Sequence, residues 1–300
     1  MTVIVILARG RCGLSRCITY YLVSMAVSDL LVIITVVLIN RIVGIYFPVS
    51  FLFNTQVCSV SNALNYAIMD SSAWLTVAFT FDRCIAICCQ KLKIKYCTEK
   101  TAAWVIGTVC TLSCLKNIFR YFIMEPTHII DNIPWFCVIK SIFYTSPAWV
   151  AYEWIYSLLT PCAAFFLILL LNALTVRHIL LASQARRRLA VNSNGETQSD
   201  PEMEKRRKSI VLLFCISGSF ILLYLVFLIN FLLIRIAKFS YFSGSNYSDS
   251  NFILEQSGYM LVHMSSCINP FIYGGTQRKF REEFKNGVKY PLSLIVKLFK

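Results

Sequence analysis

Two stretches of this chain, Trp154–Val176 and Ser209–Ile234, each run for more than twenty residues without a charged side chain. About 20 apolar residues in a helix cross the hydrocarbon of a bilayer, so each stretch is long enough to span a membrane alone. The bias extends to the whole chain, which is 57% hydrophobic and 15% charged, against about 45–50% and about 25% in soluble domains. Such a composition excludes a soluble enzyme, a disordered tail and a secreted disulfide scaffold. Most of the thirteen cysteines lie inside apolar runs, where a thiol serves as a small hydrophobe.

Seven apolar runs are predicted to be helical, at about 2–8, 19–40, 54–89, 101–119, 148–181, 209–236 and 252–275. The fold class expected is an all-α membrane protein, a seven-transmembrane-helix bundle occupying residues 1–276. Residues 277–300 are expected to form a short amphipathic helix, with Phe280 and Phe284 on one face, and a cytoplasmic tail. Ser183–Lys208 is polar and charged and reads as a loop. The first run is short: seven helical residues reach only about 10 Å. A charged amine at that depth in hydrocarbon is costly, so the expectation is a chain that begins inside its first helix, which is only partly present.

Of the 29 lysines and arginines, 23 fall on the side of the bundle reached before Thr19, after Cys89, after Leu181 and after Gly275. Only Arg41, Lys116, Arg120, Lys140, Arg235 and Lys238 fall on the other. The excess of positive charge marks the first set as cytoplasmic and accounts for the net charge of +14 without a nucleic-acid partner. The sequon at Asn246 falls on the outer side, as a glycosylation site must. A plasma-membrane, multi-pass location is expected.

Charges and prolines inside apolar runs are the informative residues, because hydrocarbon makes them expensive. Asp29 sits midway along the second run, either as a structural carboxylate or as part of a functional site. Asp82-Arg83 closes the inner end of the third, and Asn269-Pro270-Phe271-Ile272-Tyr273 lies near the inner end of the last. Cys58 stands 25 residues before Arg83, about 37 Å of helix, which places it at the outer surface. There a disulfide persists, and Cys137 is the one other cysteine in a predicted outer loop. Asp70 is an unusual acid at its depth; it either pairs with a polar neighbour or turns toward the fifth helix.

Those landmarks, with Trp104 in the fourth run and Pro161 in the fifth, resemble the rhodopsin-like (class A) G-protein-coupled receptors along nearly the whole chain. The Asp82-Arg83-Cys84-Ile85-Ala86-Ile87 stretch and the compact size are most similar to the orphan receptor 139-like group. The resemblance implies a receptor for an extracellular small molecule, amino acid or short peptide that activates a heterotrimeric G protein. It makes Arg83 the arginine that packs on Asp82 at rest and meets the G protein when active, with Tyr273 swinging inward. It makes Asp29, Ser72 and Asn269 a sodium cluster, the one cofactor expected, and gives Pro161, Phe220, Tyr224 and Pro270 roles in switching. It has Cys58–Cys137 tether the second outer loop, and it places Asn65, Tyr66, Met69, Phe227, Phe231, Tyr259 and His263 around the ligand, each equally able to be a packing residue. Asn65 stands where amine receptors carry an acid, which disfavours a monoamine.

The sixth run departs from the family pattern. Tyr224 replaces a tryptophan and Val226 a proline, Leu169 stands where a tyrosine would face Arg83, and Arg206 stands where some relatives place a locking acid. A receptor-shaped protein without signalling activity is therefore one alternative, and a transporter is another, although no internal repeat of the kind transporters carry is visible. Metal-ligand spacing, a nucleophile triad and a phosphate loop are likewise not seen in the sequence, so no enzyme is expected. Basic clusters at Arg186–Arg188 and Lys205–Lys208 suit anionic lipid and G protein alike.

The orientation is testable by thiol labelling of intact cells. Lys140→Cys is expected to react with an impermeant reagent from outside, and Arg187→Cys only after permeabilisation; reaction of both from one side would refute the topology.

Overall fold

The computed structural model describes residues 1–10, 12–47, 50–191, 201–236 and 250–287. Its helices follow in chain order. α1 is Thr2–Ala8, and α2 is Arg16–Val32, continued by a wider-wound Ile33–Val43 and by Gly44–Tyr46. α3 is Thr55–Cys88 and α4 is Glu99–Asn117. α5 joins Pro147–Ser157, a wider turn Leu158–Cys162 and Ala163–Val191. α6 is Pro201–Ile236, α7 is Ser250–Thr276, and a short α8 covers 278–287. The expected all-helical bundle is what forms.

Local chemistry sets the starts. Ser15, Asn54 and Thr98 each turn a side-chain oxygen onto a backbone N–H of the first turn of α2, α3 and α4, satisfying donors that a helix leaves free. Pro147 opens α5, where its missing N–H costs nothing. By length and composition, Arg16–Tyr46, Glu99–Tyr121, Pro147–Ala185 and Arg207–Leu233 are apolar enough to cross a membrane. α3 and α7 are long enough at 34 and 27 residues, but they carry the polar groups of the interior.

α3 is the axis, packed against α2, α4, α5 and α6. Around its inner half Leu22, Met25, Leu75, Phe79, Leu213, Ile216 and Tyr273 form one apolar cluster. Around its middle Ala73 and Val77 pack with Phe165, Ile168, Phe220, Leu228 and Val262 in a second. The opposite faces are bare: Trp104, Leu222 and Phe271 are each more than 70% exposed. Only a lipid surround makes such faces favourable, since water would disfavour large apolar patches.

The structure adds to the sequence reading at three places. The second outer loop carries two small antiparallel ladders, Met124–Glu125 with Val138–Ile139 and His128–Ile130 with Ile133–Trp135. Asp131 and Asn132 turn the second with positive φ, the conformation a two-residue hairpin requires and Asp and Asn tolerate. Of the loop expected over Ser183–Lys208, the residues to Val191 and from Pro201 onward are helical and belong to α5 and α6, and 192–200 lie outside the described residues; Ala, Leu and Arg are strong helix formers. Lys116 and Arg120, counted only by side in the sequence, are drawn into the bundle.

The Cys58–Cys137 disulfide fastens the outer ladders to the tip of α3, and Thr55 Oγ1 donates to the Phe136 carbonyl at 2.7 Å beside it. At the inner end, Arg281 Nη1 donates to the Gly274 and Gly275 carbonyls at 2.9 Å each, capping α7 and folding α8 under the bundle. Phe280 is buried against the Tyr273 ring at 6.1 Å, whereas Phe284 is exposed. The amphipathic helix expected after the last span is thus present over 278–287, and 288–300 lie outside the described residues.

Phe79 is fully buried and Phe271 faces outward. Phe79→Ala is expected to cost about 3–5 kcal/mol, the usual range for emptying a core aromatic site. Phe271→Ala should change thermal unfolding in detergent very little. Equal effects would mean the inner cluster is wrongly placed.

Candidate functional site

Polar groups occupy α3 at three depths. At the inner end, Arg83 Nε donates to Asp82 Oδ2 at 2.9 Å, a second guanidinium nitrogen reaches the same oxygen, and both side chains are buried. Two thiols complete the set: Cys17 Sγ donates to Asp82 Oδ1 at 3.3 Å, and Cys97 Sγ to the Asp82 carbonyl at 3.6 Å. Burial and then the charge of Asp82 push the Cys97 thiol up to about 11, so it keeps the proton it donates. Sequence reading missed both thiols, since neither adjoins Asp82 in the chain. The side chain of Arg206 lies outside the described residues, as do those of Arg186–Arg188 and Lys205.

At mid-depth, Asp29 is buried and accepts from Ser72 Oγ at 3.1 Å and Asn269 Nδ2 at 2.7 Å, with Ser266 as a further partner. The three expected members therefore come together, joined by a serine that sequence reading passed over. All three partners of the carboxylate are neutral. Pro270 follows Asn269 within α7, and Tyr273 is fully buried with a hydroxyl that has no hydrogen-bond partner among the described residues. In α6, Phe220 and Tyr224 stack at 3.9 Å, and Tyr224 shares a hydrogen bond with Ser265 of α7. With Val226 in place of proline, α6 continues helical through this depth. The wider turn falls in α5 instead, around the buried Pro161.

Just outward of that cluster, two residues before Ser72, Asp70 is fully buried and resolves both alternatives at once. It pairs with Lys116 Nζ at 2.7 Å and Asn117 Nδ2 at 2.5 Å of α4, and accepts from Tyr156 of α5 at 3.0 Å. Lys116 also hydrogen-bonds Thr160 in the wider turn and lies 4.4 Å from the Tyr156 ring. Arg120 sits 3.7 Å from the Tyr66 ring and pairs with Glu153 at 3.2 Å. The two residues counted on the outer side, Lys116 within the fourth run and Arg120 just past it, thus turn their charges into the bundle, under the rings of Tyr66 and Tyr156.

The expected pocket residues fall into groups. Asn65, Tyr66 and Met69 share α3, with Asn65 buried and Tyr66 edge-on to Tyr156 at 5.9 Å. Phe227 and Tyr259 face each other at 5.4 Å, and Gly258 lets α7 approach the Phe227 backbone, where a Cβ would come within 3.1 Å. Phe231 packs on the same cluster, and His263 lies within electrostatic reach of Arg41, itself hydrogen-bonded to Gln256 at 3.2 Å. Asn246 lies outside the described residues.

Residues 1–273 match the model of the seven-transmembrane receptor (rhodopsin) family. The chain is also 25% identical over 281 residues to the chicken (Gallus gallus) thyrotropin-releasing hormone receptor, covering 88% of this chain and 68% of that receptor. The chain belongs to the rhodopsin family of seven-transmembrane receptors. It is a multi-pass membrane protein, and family and relative alike point to a receptor and not an enzyme.

The Asp70–Lys116 pair can be tested by a double-mutant cycle. Lys116→Met leaves a buried carboxylate uncompensated and is expected to cost about 3–5 kcal/mol, most of it recovered in the Asp70→Asn/Lys116→Met double variant. Additive losses in thermal unfolding would show that the two side chains do not act as a pair.

Proposed function

We propose that this rhodopsin-family chain is a plasma-membrane receptor that transmits the binding of an extracellular small molecule, amino acid or short peptide to a heterotrimeric G protein. The observation that carries the reading is the buried Asp82–Arg83 pair. It lies at one end of the helix whose other end is bridged to the second outer loop. A guanidinium keeps its charge and presents five donors, so Arg83 suits both a resting contact with Asp82 and an active contact with a partner. The resting pair is held on its far side by Cys17 and Cys97. Ligand binding selects a bundle arrangement in which Arg83 leaves Asp82; this is a shift of populations with no covalent step. The relative named for thyrotropin-releasing hormone supports an extracellular messenger. Within the family we place the chain beside the orphan receptor 139-like group.

The Asp29 cluster fits a sodium ion. Its carboxylate is buried among neutral partners, and a hard cation takes oxygen ligands of the kind that Asp29, Ser72 and Ser266 supply. When bound, the ion would supply the positive charge that Asp29 otherwise lacks. Tyr273, Pro270, Pro161 and the Phe220–Tyr224 stack are proposed as moving parts, and α8 as a contact with membrane lipid. A second reading, a receptor-shaped protein that does not signal, is favoured by one observation: α6 lacks the proline and runs through its middle without a break.

Nucleotide exchange on a panel of G proteins tests these readings. The expected outcome is exchange driven by the chain and abolished by Arg83→Ala; surface expression without exchange on any G protein favours the silent reading, and solute flux surviving Arg83→Ala favours a transporter. For the ion, sodium is expected to raise the unfolding temperature of the parent chain but not of Asp29→Asn.

A further inference from the structure

Arg83 gives two hydrogen bonds to one oxygen, Asp82 Oδ2, on the side of α3 where Cys17 and Cys97 close in. Once the guanidinium leaves that oxygen its charge is still inside the bundle, and a desolvated charge needs an acceptor wherever it goes. α2 and the start of α4 surround the resting contact. The other helices packed on α3 are α5 and α6, so the acceptor is to be sought there.

The inner half of α5 turns one face to the bundle. Ile168 and Thr175 are fully buried and Asn172 between them is half-buried, at the four- and three-residue spacing of a single helix face. Leu169 lies off that face and is exposed. Two contacts fix the depth of Asn172. Ile168 packs in the cluster that holds Val77 of α3, and Thr175 hydrogen-bonds the Cys88 thiol. Asn172 falls roughly midway between these anchors on α5, as Arg83 does between theirs on α3. The amide and the guanidinium therefore share a depth.

A hydrogen bond occupies that amide. Ser217 Oγ of α6 donates to Asn172 Oδ1 at 3.1 Å, and the same hydroxyl stands 2.8 Å from the Leu213 carbonyl of its own helix. Ser217 is fully buried, and its one proton serves both acceptors. Letting go of Asn172 leaves the serine satisfied by Leu213, so the tie between α5 and α6 breaks at little cost. A guanidinium at Oδ1 replaces a neutral bond with a charge-assisted one, roughly twice as strong. The inward neighbours Leu213, Ile216 and Phe220 of α6 are apolar, and Thr175 is engaged with Leu171 and Cys88.

We infer that Asn172 receives Arg83 when it leaves Asp82, and that Ser217 holds the receiving oxygen at rest, so that the parting of α6 from α5 and the capture of Arg83 favour one another. The inference rests on the receptor reading and names the residues through which its inner end switches.

Ser217→Ala and Asn172→Leu cut the same bond between α5 and α6, but only the second removes the acceptor. The test uses the full chain in lipid nanodiscs, with nitroxides on non-natural residues at the exposed inner positions 181 and 207. Their separation is read by double electron–electron resonance, and nucleotide exchange on the G-protein panel is read separately. Ser217→Ala is expected to raise the wide-separation fraction about two- to tenfold, the worth of one neutral hydrogen bond. Asn172→Leu is expected to leave it at or below the parent's, and Asn172→Ala to do the same if leucine disturbs folding. In an Arg83→Gln background the gap between the two variants is expected to close. A mere tie between helices predicts equal rises; that result, no change in either variant, or a gap that survives Arg83→Gln overturns the inference. The expected distances without exchange on any G protein keep it and sink the signalling reading. Exchange abolished by Arg83→Ala, with equal effects of the two variants, does the reverse.

Discussion

A charge placed in hydrocarbon must find its partner inside the protein, and the bundle is arranged around that requirement. α3 bears the ionisable side chains Asp70, Asp82 and Arg83, all buried, and α2, α4 and α5 each supply what one of the two acids needs. α4 supplies Lys116 and Asn117, and α5 supplies Tyr156. The start of α2 gives a thiol to Asp82. Asp29 on α2 does the same for the middle of the molecule, gathering Ser72 from α3 and Asn269 from α7. Apolar packing supplies the bulk of the contact, but apolar side chains gain little from leaving lipid for one another. The polar pairs are what give each helix a depth and a rotation.

The spans were legible in the sequence because a bilayer imposes a length and an apolar content that few other environments demand, and the inner and outer sides were predicted from the way lysine and arginine distribute. The landmarks Asp29, Asp82-Arg83 and Asn269-Pro270 were visible for the same reason: a costly residue in an apolar run stands out. What stayed hidden was pairing across helices. Cys17 and Cys97 look like any other cysteines among thirteen, and only the packing of α2 and of the loop before α4 brings them to Asp82. Arg120 read only as a charge on the outer side because its shelter comes from tyrosines on α3 and α5. The outer ladders were missed since their strands are two or three residues long, too short for an alternating pattern to register.

The wider turn of α5 and the continuous α6 belong to one account. Proline in a helix removes a donor and frees a carbonyl. α5 meets that at Pro161 by widening over Leu158–Cys162, where Thr160 is held by Lys116. α6, lacking proline, meets no such interruption at mid-depth, and ties itself to α7 through the Tyr224–Ser265 bond. The wider-wound backbone therefore lies in α5 beside the Asp70–Lys116 pair, and over Ile33–Val43 of α2, and not in α6.

A ladder of backbone bonds that runs unbroken makes α6 a stiff beam. Whatever tilts one end of such a beam displaces the other by a comparable amount in the opposite sense, with the Phe220–Tyr224 stack near the fulcrum. On the signalling reading proposed above, spreading at the cytoplasmic end demands contraction at the extracellular mouth, so grip on the messenger and access for the intracellular partner rise and fall together; on the silent reading the same stiffness holds both ends in place.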